Sequence, residues 1–223
     1  MKHDIYPTPE AVANAAADLI SRAITSEPNL SLGLAGGSTP RRVHSSLASR
    51  ELAWDGVTAW ITDERWVGPD RPESNQRMAR ETLVVPTGVP FVAPDTTGTD
   101  PEAAAEAYAS ILDTSDIGSD RPSVVMLGIG TDGHTASLFP ETAALGETER
   151  SYVANWVGAL GAWRLTTTFG LLARIDTVLF VVTGASKAPV IRQLADGAEL
   201  PAAAVRARRE VIWLLDAAAA SEL

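Results

Sequence analysis

Five short apolar segments recur along the chain, and they lack the spacing of a single helix face. They are rich in Val, Ile, Leu and Trp, and Gly, Asp or Pro residues bound them, which is typical of strands buried on both faces of a sheet. The segments cover residues 30–35, 57–62, 123–129, 177–182 and 210–215. This pattern predicts a parallel sheet.

Alanine-rich segments with the period of a helix separate these predicted strands. Three of them begin with a polar residue followed by proline, at residues 8–9, 39–40 and 100–101. A polar side chain can cap the first turn of a helix, and proline suits the first helical position. Alternating strands and helices predict an α/β fold with a mostly parallel central sheet. Because no low-complexity linker interrupts the chain, we expect a single domain over residues 1–223.

Composition and charge narrow the class of protein. The chain has 18 basic and 28 acidic side chains, a net charge of −10 and no cysteine. The lack of cysteine excludes disulfides and cysteine-ligated zinc. An acidic balance argues against a nucleic-acid partner, which would need clustered cations. With no signal-like start and no apolar run of about 18 residues, we expect a cytoplasmic protein that does not enter a membrane.

Short polar sequences follow four of the predicted strands. In parallel α/β sheets, ligands bind beyond the carboxyl ends of the strands, so these sequences are candidates for a site. They carry glycines, hydroxyl groups, acidic side chains, a histidine and a lysine, at residues 36–40, 63–66, 130–135 and 184–187. Their convergence on one sheet edge predicts a site more strongly than any one motif.

The first of these sequences, Gly-Gly-Ser-Thr-Pro at residues 36–40, predicts an anion-binding turn. Gly37 lets backbone N–H groups approach an anion closely, Ser38 and Thr39 add hydroxyl groups, and a helix begins at once. The sequence is not a P-loop, because no Gly-Lys-Ser or Gly-Lys-Thr follows. The alternative is an ordinary glycine turn in which Thr39 caps the helix.

Residues 128–133 read Gly-Ile-Gly-Thr-Asp-Gly, which matches the dinucleotide-binding pattern after a strand and before a helical segment. Asp132 would place a negative charge among the backbone amides that should hold the pyrophosphate. The next strand-like segment, 151–157, also ends without the acidic residue that should bind the ribose. We therefore predict no dinucleotide cofactor.

His134 is the one histidine of three that lies in a glycine-rich loop between a predicted strand and a helical segment. Beside Asp132 and facing Asp63, it would be a general acid or base near neutral pH. Neighbouring carboxylates would raise its pKa and a helix N-terminus would lower it, so the direction stays open. The alternative is a histidine that caps the turn. We expect His3 in a frayed terminus and His44 in a helix.

Two cations are placed to hold a dianionic phosphate, Arg164 and Lys187. The chain has sixteen arginines and only two lysines, and Lys187 is the one outside the extreme N-terminus. Arginine grips phosphate in a fork, whereas lysine acts as a point charge. The alternatives are a surface ion pair for Arg164 and an exposed helix start for Lys187. Trp66 either packs in the core or forms a wall of a sugar site.

Together these motifs resemble the 6-phosphogluconolactonases, hydrolases of the oxidative pentose phosphate pathway. The matching sequences are LAGGSTPRRVHSSL, TDERWV, SNQRM, LGIGTDGHTASLFP, RLTTTF, VTGASKA and VIWLLDAAAA. DGHTASLFP is the most specific of them, whereas GGSTP and TGxxK are shared with glucosamine-6-phosphate deaminases. The resemblance implies a Rossmann-like three-layer α/β sandwich, similar to those deaminases and to ribose-5-phosphate isomerase.

The resemblance also implies roles for individual residues. His134 would activate the hydrolytic water, and Asp132 and Asp63 would orient the histidine or the substrate. The 6-phosphate would be held by Gly37, Ser38, Thr39, Arg164 and Lys187, and Arg65 would contact phosphate or sugar hydroxyls. The expected substrate is a sugar-phosphate lactone, with no cofactor and no metal, and the expected assembly is a monomer or small homo-oligomer.

Two other functions stay open. One is an aldose-ketose isomerase or deaminase, because Gly-Gly-Ser-Thr, Asp63 and Lys187 are shared with enzymes of that kind. The other is a sugar-phosphate sensor that binds without turnover. The chain has no basic helix-turn-helix sequence, which argues against a self-contained regulator.

Overall fold

The computed structural model describes residues 2–27 and 29–223. The strands are β1 (His3–Tyr6), β2 (Leu30–Leu34), β3 (Val57–Ile61), β4 (Asp63–Arg65), β5 (Phe91–Val92), β6 (Ser123–Leu127), β7 (Tyr152–Val157), β8 (Ala162–Thr167), β9 (Thr177–Val182) and β10 (Glu210–Asp216). The α-helices are α1 (Pro9–Ser26), α2 (Ser38–Ala48), α3 (Asn75–Ala79), α4 (Val85–Thr87), α5 (Pro101–Thr114), α6 (Phe169–Leu172), α7 (Ala188–Ala195) and α8 (Pro201–Ala204). A π-helix, Arg80–Val84, joins α3 to α4.

Seven strands form the central sheet, in the order β1-β10-β9-β6-β2-β3-β5, and each neighbouring pair is parallel. The five predicted strands are the five in the middle, so the predicted α/β fold with a parallel sheet is confirmed. The two edge strands escaped prediction because they are short and incompletely buried, so no apolar run marks them. The expected frayed terminus is wrong: His3 begins β1 and pairs in register with Trp213.

Both faces of the sheet are buried, which makes the fold a three-layer sandwich. Along β6, Val124 and Met126 pack into the cluster formed with α1 and α2. Val125 and Leu127, which alternate with them, pack on the opposite face with residues of α5 and α7. Because successive side chains of a strand point to opposite faces, burial of all four explains why β6 reads as one continuous apolar run.

A second sheet, β4-β8-β7, is antiparallel and packs through β7 and β8 on α5. The segment 151–157 therefore belongs to this small sheet and not to a continuing parallel one. The helical segment expected after the loop at 128–135 is also wrong. Residues 131–142 form turns and an isolated bridge, and only a 3-10 helix follows at Ala143–Gly146.

Two of the three predicted helix starts are confirmed. Thr8 caps α1 by accepting from the Ala11 N–H, and Asp100 caps α5 by accepting from two backbone N–H groups. The third is wrong in detail, because α2 begins at Ser38 and its N-cap is Gly37, with φ +107°. Glycine tolerates this backbone conformation without strain, and α2 begins without a hydrogen bond to a capping side chain.

No α-helix in the described part of the chain combines the length and the apolar character that a membrane span requires.

The buried His44 of α2 predicts a loss of stability in acid. Its Nδ1 donates to Thr82 Oγ1, whose own hydroxyl donates to the Met78 carbonyl, while Nε2 is buried without a partner among the described residues. Burial, reinforced by the charge of Arg41, lowers the pKa of His44 from 6.5 to about 3. Protonation therefore favours the unfolded chain at every pH between these two values.

The free energy of unfolding should fall by about 2 kcal/mol between pH 7 and pH 5 through His44 alone, because each pKa unit of difference corresponds to about 1.4 kcal/mol. His44→Gln keeps a donor for Thr82 but cannot take up the proton. Urea unfolding of both proteins at the two pH values measures the difference. Equal losses of stability in the two proteins would contradict the assignment.

Candidate active site

The carboxyl ends of β9, β6, β2 and β3 meet at one edge of the sheet, because these strands are adjacent and parallel. The polar sequences that follow them are therefore brought together there, as predicted. Two adjoining clefts lie at this edge, with volumes of about 370 and 130 Å³. Both are lined by Asp63, Arg65 and His134, and the larger one also by Asp132 and Arg164.

A larger cavity, of about 690 Å³, lies elsewhere and is lined mainly by apolar side chains of residues 140–145 and 197–204. Neither the predicted catalytic residues nor the predicted phosphate-binding residues line it. The two smaller clefts carry the convergent polar groups that a site for a charged metabolite needs, and they form the candidate site.

His134 is held in the cleft by contacts on two sides. Its Nδ1 lies 2.6 Å from Asp132 Oδ1, and the same oxygen accepts from the His134 backbone N–H at 3.1 Å. The imidazole stacks on the Phe139 ring, with 4.0 Å between centroids. Its side chain is 29% exposed, so the ring is fixed in place but still reaches the cleft.

The ionisation state of Asp132 decides which imidazole nitrogen is free. Burial opposes ionisation of the carboxyl, but the two hydrogen bonds from His134 and its charge outweigh burial, and the pKa of Asp132 is lowered. An ionised carboxylate only accepts hydrogen bonds, so Nδ1 of His134 carries the hydrogen. In the neutral imidazole, Nε2 is then the nitrogen with a lone pair, available to accept a proton from a bound molecule.

Asp63 lines both clefts but does not hold His134. It is 7% exposed, and its Oδ2 accepts from Ser137 Oγ at 2.9 Å. Its hydrogen bonds go to Ser137 and, weakly, to Thr62. Of the two carboxylates expected to orient the histidine, Asp132 contacts it, whereas Asp63 faces the space where a ligand would lie.

Two arginines face each other across the antiparallel sheet. Arg65 of β4 is the register partner of Arg164 of β8, and both side chains line the larger cleft. Like charges directly opposite on one sheet face are destabilising. Burial, and next the charge of Arg65, lower the pKa of Arg164.

Within residues 2–27 and 29–223, neither of these guanidinium groups forms a salt bridge with a carboxylate. A bound anion would relieve their mutual repulsion. The pair makes this cleft a candidate for binding a negatively charged ligand, although the protein as a whole is acidic.

The other predicted phosphate-binding residues lie beside these clefts and do not line them. Gly37, Ser38 and Thr39 form the start of α2, and Lys187 ends the 3-10 helix Ala185–Lys187. A hydrogen bond of 2.7 Å between Thr39 Oγ1 and Thr183 Oγ1 joins the two segments. Partial burial lowers the pKa of Lys187, against the opposing charge of Asp132.

Glu64 is a residue of the site to which the sequence analysis gave no role. It lies between Asp63 and Arg65, and strand alternation points it away from the cleft into the interior, where it is fully buried. Its two oxygens accept from the backbone N–H groups of residues 65, 75 and 76 and from Ser74 Oγ. Burial raises the pKa of Glu64, and these hydrogen bonds act against that rise.

Asn75 continues this connection to the glycine turn. Its side-chain NH2 donates to the Asp63 carbonyl at 2.8 Å, and it lines the smaller cleft with Gly36. A β-carbon at Gly36 would overlap Asn75 Oδ1, so glycine is required there for close approach. Asp63 lies in TDERWV and Asn75 lies in SNQRM, but nothing in the spacing of these two sequences predicts the hydrogen bond between them.

Five further residues line the larger cleft without having been given a role from the sequence: Thr131, Ala136, Ser137, Phe139 and Leu160. Ser137 and Phe139 fall within DGHTASLFP, so their position just after His134 was the available signal. Leu160 reaches the cleft from the turn between β7 and β8, which no motif marked. Trp66 packs against the core cluster, which favours the first of its two interpretations.

No group of three or more His, Asp or Glu side chains in the described residues is arranged to hold a metal ion.

Over nearly its whole length, the chain is similar to proteins of one known family. Residues 7–213 match the family model described as glucosamine-6-phosphate isomerases/6-phosphogluconolactonase. A 6-phosphogluconolactonase from Nostoc sp. is 34% identical over 235 aligned positions, covering 99% of this chain and 97% of that protein.

Solved structures agree with this comparison. The Trypanosoma brucei structure described as showing the catalytic mechanism of 6-phosphogluconolactonase superposes with a TM-score of 0.84 at 29% identity, covering 100% of this chain and 98% of that one. A monomeric glucosamine-6-phosphate deaminase superposes with a TM-score of 0.85 at 23% identity, covering 100% of both chains, and supports the fold alone.

Gly130→Ala should separate His134 from Asp132. A β-carbon at Gly130 would overlap both the imidazole and the carboxylate, so both must move and the Nδ1 hydrogen bond should be lost. With three histidines in the chain, long-range proton–nitrogen NMR spectra can assign the tautomer of each. We expect His134 protonated at Nδ1 in the original protein and a mixture of tautomers in the variant.

Gly146→Ala is the matched control, because nothing lies within 4 Å of a β-carbon at that position. It should leave the His134 signals in place. Unchanged His134 signals in Gly130→Ala would show that the Asp132 contact does not set the tautomer.

Proposed function

Because the chain belongs to the glucosamine-6-phosphate isomerase and 6-phosphogluconolactonase family, we propose that it hydrolyses 6-phospho-D-glucono-1,5-lactone to 6-phospho-D-gluconate. The observation that carries this proposal is the geometry of His134. One ring nitrogen is fixed by Asp132, and the ring lines the same cleft as two arginines that form no salt bridge within the described part of the chain. The substrate carries both a reactive carbonyl and a phosphate. A base for the first and cations for the second lie in one cleft.

The phosphate of the lactone is the part that the cations would hold. Arg164 and Lys187 bring positive charge from β8 and from the end of β9, and Gly37, Ser38 and Thr39 add N–H and hydroxyl donors at the start of α2. Arg65 would contact the phosphate or the sugar hydroxyls. Anchoring the phosphate places the carbonyl carbon relative to His134, and positioning of this kind can supply much of a rate enhancement.

The hydrolysis needs one proton acceptor and no covalent intermediate. Nε2 of His134 takes a proton from water as the oxygen attacks the lactone carbonyl carbon. The bond between that carbon and the ring oxygen then breaks, and the ring oxygen receives the proton from the imidazolium. Asp132 stabilises the imidazolium through Nδ1. Asp63, held by Ser137, would orient the water or a sugar hydroxyl.

The proposed enzyme needs no cofactor and no metal, since water is the only co-reactant. The net charge of −10 argues against a nucleic-acid partner, and we expect a cytoplasmic enzyme. We expect it to act as a single domain, as a monomer or small homo-oligomer. Light scattering of the purified protein measures the assembly, and cell fractionation measures the location.

The two alternative functions have separate readouts. A deaminase of the same family would release ammonia from glucosamine 6-phosphate. A sensor would be stabilised by the ligand against thermal unfolding without consuming the lactone. Absence of lactone hydrolysis together with either result would replace the present proposal.

His134→Ala should lower kcat by about 10²- to 10⁴-fold, which is the usual contribution of a positioned general base. The lactone is generated freshly with glucose-6-phosphate dehydrogenase, and spontaneous hydrolysis is subtracted. His44→Gln, which changes a histidine outside the cleft, should keep the original rate. Equal rates for His134→Ala and the original protein would remove His134 from the mechanism.

Lys187→Ala should raise KM strongly and change kcat much less, because phosphate is bound alike in the ground state and the transition state. Steady-state kinetics with the same lactone assay separates the two constants. If instead kcat falls and KM stays constant, Lys187 acts in the transition state and not as a phosphate anchor.

A further inference from the structure

A buried carboxylate lies at the carboxyl end of β10, beside the segment that carries Lys187. Asp216 is 2% exposed, and it forms no salt bridge within the part of the chain that the structure describes. Burying a charged group is costly unless hydrogen bonds satisfy it. The donors here are two backbone N–H groups, those of Gly184 and Ala219.

The contact with Gly184 extends the pairing of two strands by one position. β9 and β10 are paired in register up to Val182 and Leu215. Asp216 follows Leu215, and its side chain, instead of a backbone carbonyl, accepts from the Gly184 N–H. Gly184 N lies 3.0 Å from each carboxylate oxygen. The Asp216 carboxylate therefore contacts the backbone at the point where the chain leaves β9.

Gly184 is the residue that turns the chain toward Lys187. Its φ of +96° is one that other residues rarely adopt, and it is the N-cap of the 3-10 helix Ala185–Lys187. The Lys187 N–H donates to the Gly184 carbonyl at 3.0 Å. On the other side of Gly184, Thr183 bonds to Thr39 of the glycine turn. The segment 183–187 thus has one anchor on Thr39 and the other on Asp216.

We infer that Asp216 is a positioning residue of the phosphate site: its carboxylate holds Gly184 so that segment 183–187 presents Lys187 beside the start of α2. The identity of the ligand in this inference rests on the proposed function. Asp216 touches neither the cleft nor a reacting atom. Its loss should therefore weaken phosphate binding and leave the chemistry at His134 in place.

Asp216→Asn is the direct test. Asparagine keeps one acceptor oxygen, and in the Oδ1 position this oxygen reaches both backbone N–H groups. Its NH2 group then replaces Oδ2 at 3.0 Å from Gly184 N, so two donors face each other and the contact that holds Gly184 is weakened. We expect KM for the lactone to rise about tenfold with kcat changed by less than about threefold. Calorimetric binding of inorganic phosphate and of 6-phosphogluconate should weaken by a similar factor.

Asp176→Asn is the matched control for a structural effect alone. Asp176 is also a buried carboxylate that accepts from a backbone N–H, that of Ser123, and it precedes β9 at the opposite edge of the sheet. Unlike Asp216, it also pairs with Arg208 and Arg209. The substitution should lower the melting temperature without changing KM or phosphate binding. If Asp216→Asn behaves in the same way, its role is structural and the inference is overturned.

Gly184→Ala tests the same segment with Asp216 intact and decides the matter if Asp216→Asn does not fold. A β-carbon at Gly184 meets nothing within 4 Å, so only the positive φ is perturbed. It should reproduce the rise in KM, and an unchanged KM would contradict the inference. Failure of the original protein to bind phosphate or hydrolyse the lactone would instead overturn the proposed function.

Discussion

The parallel pairing of β9, β6, β2 and β3 is the constraint on which the rest of the structure depends. Adjacent parallel strands end at the same edge, so each strand delivers the residues that follow it to one place. The glycine turn, the His134 loop and the Lys187 segment come from distant parts of the sequence, and this register alone makes them neighbours. Burial of both sheet faces holds the register, because a slip by one residue would exchange every buried side chain between two different layers.

The small antiparallel sheet contributes the two arginines that line the larger cleft. It places Arg65 opposite Arg164, at a cost in electrostatic repulsion that an anionic ligand would offset. Strand alternation then assigns the three residues of β4 to different tasks: Asp63 and Arg65 face the cleft, and Glu64 faces the interior and holds the start of α3. The net charge of −10 does not prevent anion binding, because a local set of cations acts at short range and salt screens distant charges within about 8 Å.

Much of the fold was predictable because buried parallel strands read as continuous apolar runs. The five central strands and the starts of α1 and α5 follow from apolar runs and capping residues alone. The edge strand β1 was not predictable, since its pairing with β10 uses backbone groups and leaves most of its side chains exposed. The start of α2 was misjudged because Gly37 occupies the N-cap position without a side-chain cap, while Thr39 lies inside the helix and bonds Thr183 across the sheet edge.

The sequence by itself determined the α/β class, the strand ends at which a site should form, and His134, Asp132, Lys187 and the arginines as its candidates. Local patterns suffice for these because apolar periodicity and short motifs are read from neighbouring residues. Only the tertiary structure decided that Asp132 contacts His134 while Asp63 contacts Ser137, and that Arg65 opposes Arg164. It also decided that Glu64 accepts from the start of α3 and Asp216 from Gly184. Those relations depend on strand register and on which buried donors each carboxylate can reach, and both arise only when distant segments pack together.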